Sequence, residues 1–215
     1  MAKPLVMGRK EIAKVYGIAP TAVSDRWVPG GVLSYEDSAI VSGKPYWPGG
    51  LVIDLALPPG SRGRQLNQGL LEKLIEEQGA TSKPMKAAEL PPLVGAQEYA
   101  ELFGVSQVKV SQAARTSARG QLPAADYSLS GSSLWLLDTV LAGAEHTVKV
   151  SAEARRSPGE WKLNESVVEQ LRTGTYEGPG SSFKARGKKA VAEDSEAAGR
   201  PRRVLRDRRG RISRS

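Results

Sequence analysis

The sequence predicts a mainly α-helical fold with small β-hairpin wings, arranged as two tandem modules with accessory helices and a disordered basic C-terminal tail. Three observations predict it. An ordered set of residues recurs in the two halves, each copy reads as helix, tight turn, helix and hairpin, and the excess positive charge collects beyond residue 183.

An internal repeat sets the number of structural units and so governs the fold. Glu11, Ala13, Gly17, Ile18, Val23 and Ser24 align with Glu98, Ala100, Gly104, Val105, Val110 and Ser111. After a short insertion, Leu33, Asp37, Ser42-Gly43 and Trp47 align with Leu122, Asp126, Ser130-Gly131 and Trp135. Agreement in order and residue type sets modules at 1–56 and 92–143, joined and followed by connectors at 57–91 and 144–183.

Within the first copy, residues 9–15 offer Ile12, Ala13 and Val15 as an apolar side, and Gly17 suits the left-handed residue of a tight helix-to-helix turn. Pro20 fits the first turn of a second helix, where no amide is missed. Ser106 is a good N-cap for the equivalent helix. Val23 with Trp27, and Val110 with Ala114, face inward at four-residue spacing. The β-prone runs around each Ser-Gly read as hairpins, the wings. Trp47 and Trp135 follow the wing strand and read as core anchors. The apolar runs at 51–55 and 136–141 predict short helices over the core.

Each connector carries one more helix, at about 67–78 and about 164–173. Asn67 and Asn164 fit N-caps, Leu66 and Leu163 fit the apolar position before them, and Gly79 and Gly174 fit C-terminal stops. Leu70, Leu71, Leu74 and Ile75 form one face, which reads as packing on its own module, with a dimer interface as the alternative. The connector is long enough to let two independent modules reach half-sites one helical turn apart, ~34–36 Å.

Composition narrows the function. The net charge is +8, and residues 184–215 hold all of it: twelve basic against four acidic side chains, so residues 1–183 are balanced. With few apolar residues the tail is expected to stay unfolded and follow phosphates through Arg202, Arg203, Arg206, Arg208, Arg209 and Arg211. The chain has no cysteine and a single histidine, His146, which reads as a loop residue outside both modules. No phosphate-cradling glycine loop and no metal-ligand spacing occurs, so neither enzyme, cofactor nor metal is expected. No segment has the apolar length of a signal peptide or membrane span, which places the expected location in the cytoplasm of a bacterial host.

The ordered set Glu-Ile-Ala, Gly-Ile, Val-Ser, Trp, Leu, Asp, Ser-Gly and Trp resembles the winged helix-turn-helix of the MerR type and of the AlpA or excisionase type, found in actinobacteria and their phages. The likeness covers about 5–56 and 92–143. It implies that the second helix of each module enters the major groove while the wing approaches the DNA backbone. Two departures stand out. Ser34 occupies a place where Leu-Pro is usual (kept as Leu122-Pro123), and the second copy lacks a counterpart to Trp27.

The outward positions of the second helices are then the candidate readers. They are Thr21, Ser24 and Arg26 in the first copy, and Gln107, Lys109, Ser111, Gln112 and Arg115 in the second. Gln, Arg and Lys can read purine edges, whereas Ser and Thr mostly position on phosphate, so the second copy is the better reader. Arg9, Lys10 and Lys14 on the first helix and Lys44 at the wing tip are the candidate backbone contacts. The implied partner is double-stranded DNA, with integrase or RNA polymerase beside it and a second copy of the chain as further candidates. The expected function is a transcriptional regulator, a repressor, of a phage or mobile element. The alternatives are an excisionase that bends attachment-site DNA and a phage assembly or packaging subunit that uses the fold for protein contacts.

Overall fold

The computed structural model describes residues 3–58, 60–115, 120–153 and 161–183, all within one compact unit, Met1–Lys184. The first half runs β1 (Val6–Met7), α1 (Arg9–Tyr16), α2 (Pro20–Ala22, continued by a π-helical turn Val23–Trp27), β2 (Ala39–Val41), β3 (Lys44–Pro48), α3 (Gly49–Asp54) and α4 (Gln68–Gln78). The second half runs β4 (Leu93–Val94), α5 (Ala96–Phe103), α6 (Gln107–Arg115), β5 (Tyr127–Leu129), β6 (Ser132–Leu136), α7 (Leu137–Ala142), α8 (Ala144–Glu153) and α9 (Glu165–Thr173).

The chain is therefore mixed, not mainly helical with bare hairpins. Each hairpin gains a third strand from the residues ahead of the first helix, giving antiparallel sheets ordered β1-β3-β2 and β4-β6-β5. Their registers correspond: Met7 faces Trp47 and Val94 faces Trp135. A two-residue strand has no period of its own, which is why the sequence pattern does not reveal it.

Local chemistry places the helices. Gly17 and Gly104 end α1 and α5 at φ 63° and 61°, the left-handed geometry that lets a second helix turn back at once. The Asn67 side chain accepts from the Leu70 amide at 3.0 Å, and that of Asn164 from the Ser166 amide at 3.1 Å. Both asparagines also donate their backbone N–H to the first helix of their own half, Asn67 to Val15 and Asn164 to Leu102, at 2.9 and 2.8 Å. The copies thus correspond down to the docking of the accessory helix. Leu71 and Leu74 of α4 are buried in the first core, together with Ile12, Val15, Val23 and Trp47. Phe103, Val110, Trp135, Trp161 and Val168 form the second. Both tryptophans are buried to within 1% and donate their indole N–H at the same point of the loop, to the Ser34 and Pro123 carbonyls.

Among the described residues, one helix of the second half has no counterpart in the first. Helix α8 carries His146, so this residue is helical, not a loop residue, and its Nε2 lies 2.8 Å from the Gly120 carbonyl. On the same helix, Ser151 accepts from the Gln121 amide at 2.9 Å. The helix thus holds the loop that leads into β5.

The halves are not independent modules on a tether. A third core, made of Val6, Val41, Tyr46, Leu93, Tyr127, Leu129 and Leu134, draws on both. Most of its members are equivalent positions: Val6 with Leu93, Val41 with Leu129, and Tyr46 with Leu134. The connector also lies along the protein. Leu5 donates to Ser82, Gly50 to Pro84 and Leu137 to Pro92 through backbone bonds of 2.8 to 3.0 Å. Separation of the two halves is therefore set by packing, and the expectation of a spanning linker is corrected. Residues 184–215, with the six candidate tail arginines, lie outside the described residues.

Candidate nucleic-acid interface

The second helices face outward. In the first half only Val23 of the segment 20–27 is buried, and in α6 only Val110 is. Thr21, Arg26, Gln107, Lys109, Gln112 and Arg115 are exposed, while Ser24 and Ser111 are half-buried. The two copies differ in regularity. Helix α6 is α-helical throughout, whereas the first copy widens after Ala22 so that Val28 donates back five residues to Val23, at 3.0 Å. Trp27 then meets the ring of Tyr16 edge-on at 4.9 Å.

Val108, absent from the candidates read from the sequence, is 63% exposed at the second position of α6. It aligns with Thr21, and both offer a methyl group, the kind of contact that a thymine methyl takes in the major groove. Its position two residues before the buried Val110 was the available signal.

The wings do not project into solvent. Each tip inserts at the start of the first helix of the other half. Ser42 donates its backbone N–H to Glu98 Oε1 at 2.6 Å and its hydroxyl to Glu98 Oε2 at 2.7 Å. Ser130 donates to Glu11 in the same two ways, each at 2.7 Å. The hydroxyls also accept, from the Gln97 amide at 3.0 Å and the Lys10 amide at 3.2 Å. These amides belong to the first turns of α5 and α1, whose opening donors lack intrahelical partners.

The N-cap residues, Gly8 and Gly95, have no side chain to serve those amides. A β-carbon at Gly8 would lie 2.5 Å from Ser130 Oγ, and one at Gly95 only 2.4 Å from Ser42 Oγ. Each glycine thus admits a serine from the opposite half, which completes the cap. Meanwhile Glu11 and Glu98 take the Gly8 and Gly95 amides at 3.1 and 3.0 Å. To reach in, Ser42 and Ser130 adopt φ of 49° and 50°, a region that side chains other than Gly, Asn and Asp seldom enter. The contact is reciprocal, the same patch on each copy, as at a two-fold interface.

No family model, curated protein or solved structure matches this chain.

The basic candidates sort accordingly. Lys44 is not on a free wing tip: its Nζ donates to Ser132 Oγ of the other half's wing. Lys10 lies beside the same foreign tip through its amide. The Arg9 guanidinium donates to Ser24 Oγ at 3.2 Å, so two candidate residues of the first copy engage each other. Lys14 lies 3.9 Å from Glu77 of α4 as an exposed pair, a geometry that contributes little stability. Burial pushes the Glu98 carboxyl above its ordinary 4.5, against the pull of its donors from Ser42 and Gly95. Burial likewise raises the Tyr46 phenol to about 12, so Tyr46 stays neutral at physiological pH.

Proposed function

We propose that the chain binds double-stranded DNA through two winged helix-turn-helix units joined face to face, and acts as a transcriptional regulator, a repressor, of a phage or mobile element. The observation that carries this reading is the second helix of each half. Each buries a single valine on a firm core and turns hydrogen-bonding side chains outward. Two such units in a two-fold-like contact on one chain do the work of a symmetric dimer without needing a second chain.

The second copy supplies the better base readers, Gln107, Lys109 and Gln112 with the methyls of Val108. The first supplies Thr21 and Arg26. Because the helices differ, the bound site is an asymmetric pair of half-sites. Selection from a random duplex pool, followed by footprinting at physiological salt, tests this. An enriched asymmetric site supports the reading, and failure to enrich any sequence counts against it.

The engaged wings favour one further reading. They put a characteristic DNA-contacting element to work in protein contact, as an assembly or packaging subunit would. A discrete oligomer by mass measurement, with no selected sequence, would favour that role. An excisionase role calls for a measurable bend at attachment-site DNA.

A further inference from the structure

A cleft of about 300 Å³ opens where α6, the second wing and the tip of the first wing meet. Gln107, Ser111 and Arg115, spaced four apart along α6, form one wall. Lys44, from the other half, and Ser132 of the second wing also line it. Two cations and several hydroxyls and amides line it, and no carboxylate does among the described residues.

The first copy differs at the matching place. Arg9 aligns with Ala96, which lies on the cleft, and its guanidinium reaches Ser24, the counterpart of Ser111. Arg115 is particular to this side, because Val28 stands in its place in the first copy. The repeat therefore sets Arg115 and Ala96 on one side against Val28 and Arg9 on the other.

We propose that this cleft holds one phosphodiester oxyanion of a nucleic-acid backbone, gripped by Lys44 from the first copy and Arg115 from the second. The inference rests on the DNA-binding reading above and adds to it. A single phosphate held by both halves anchors α6 in its groove, and the first copy has Val28 where Arg115 stands. Arg115 then positions the helix and leaves base reading to its neighbours. Arginine and lysine with nearby hydroxyls suit an oxyanion, since charge-assisted bonds are the stronger class.

The test uses the full chain with Lys44→Ala, Arg115→Ala, both together, Ala96→Glu, and Lys149→Ala as a charge-loss control on α8. Two probes are used: a random-sequence 30-base-pair duplex read by fluorescence anisotropy at physiological salt, and inorganic phosphate read by amide chemical shifts. Each single alanine should weaken duplex binding about tenfold. The double substitution should weaken it by clearly less than the product of the two, because one phosphate serves both. Ala96→Glu places a carboxylate in the cleft and should match the double, while Lys149→Ala stays within about twofold.

Singles within twofold of the parent, or losses that simply multiply, would overturn the cleft and leave the DNA reading standing. A parent chain that binds no duplex would overturn the reading itself. If that chain still showed phosphate shifts lost in both singles, the site would be one for a free anion, and the proposal would fall.

Discussion

The two halves share a plan but divide the work differently. In the first, Arg9 bonds to Ser24 of the second helix, the helix widens into a π turn, and a tryptophan packs against Tyr16. In the second, the helix is regular, a cleft opens beside it, and an extra helix, α8, braces the loop before the wing. What the halves exchange is nevertheless the same: one serine and one glutamate each. The contact surface is alike in both copies, whereas the outward face of the second helix differs between them. The proposed binding to an asymmetric DNA site calls for that pattern.

The largest effects should come from the cores. Trp47→Ala and Trp135→Ala should each cost about 3–5 kcal/mol. Because a shared cluster joins the halves, either change should lower one common unfolding transition in calorimetry. Two separate transitions, only one of them displaced, would break the comparison.

The exchanged glutamates come next and should be unequal. Glu98 is 2% exposed whereas Glu11 is half-buried. Glu98→Ala leaves the Ser42 and Gly95 donors without an acceptor and should cost about 3 kcal/mol, against roughly half that for Glu11→Ala. Denaturant midpoints decide this, and equal losses would refute the burial argument. Stability should also depend on pH through Glu98. Its folded-state pKa is raised, so between about 4.5 and that higher value the folded chain keeps a proton that the unfolded chain has released. Stability therefore declines as pH rises through that window, and Glu98→Gln should flatten the slope.

Smaller still is the cap itself. Gly8→Ala should cost about 1–2 kcal/mol by expelling Ser130 from its place. Adding Ser130→Gly, which removes the obstructing hydroxyl and relieves the positive φ, should return part of that loss. If the second change only adds to the first, the serine is not the group that the glycine accommodates. Removal of residues 184–215 should leave stability unchanged. It should lower affinity for all duplexes and reduce the salt dependence of binding, with sequence preference retained. A loss of preference would assign the tail a different role.

Much of this organisation was legible in the sequence, for reasons that are local. The asparagine caps, the terminal glycines at 79 and 174, the buried tryptophans and the accessory helices all follow from short-range chemistry or from periodicity, and the repeat checks each of them twice. The exchanged wing tips were not legible as contacts, because Ser42, Glu98, Ser130 and Glu11 read individually as solvated residues and their partners lie in the other half. A faint signal was present. Both first helices begin after a glycine with glutamate three residues on and no cap of their own, and both wings place serine where a left-handed turn favours asparagine. Helix α8 went unseen because its buried positions, Ala144, Thr147 and Ser151, are small or polar and leave no apolar stripe.

The proposed binding mode requires the two halves to form one rigid pair. Since the chain has no cysteine, Lys14→Cys and Glu101→Cys, exposed and equivalent positions on α1 and α5, can carry a pair of spin labels. Pulsed dipolar spectroscopy on the free protein should give one narrow distance, unchanged when the selected duplex is added. A broad distribution that narrows only on DNA would show two tethered modules instead, and would contradict the reciprocal wing exchange.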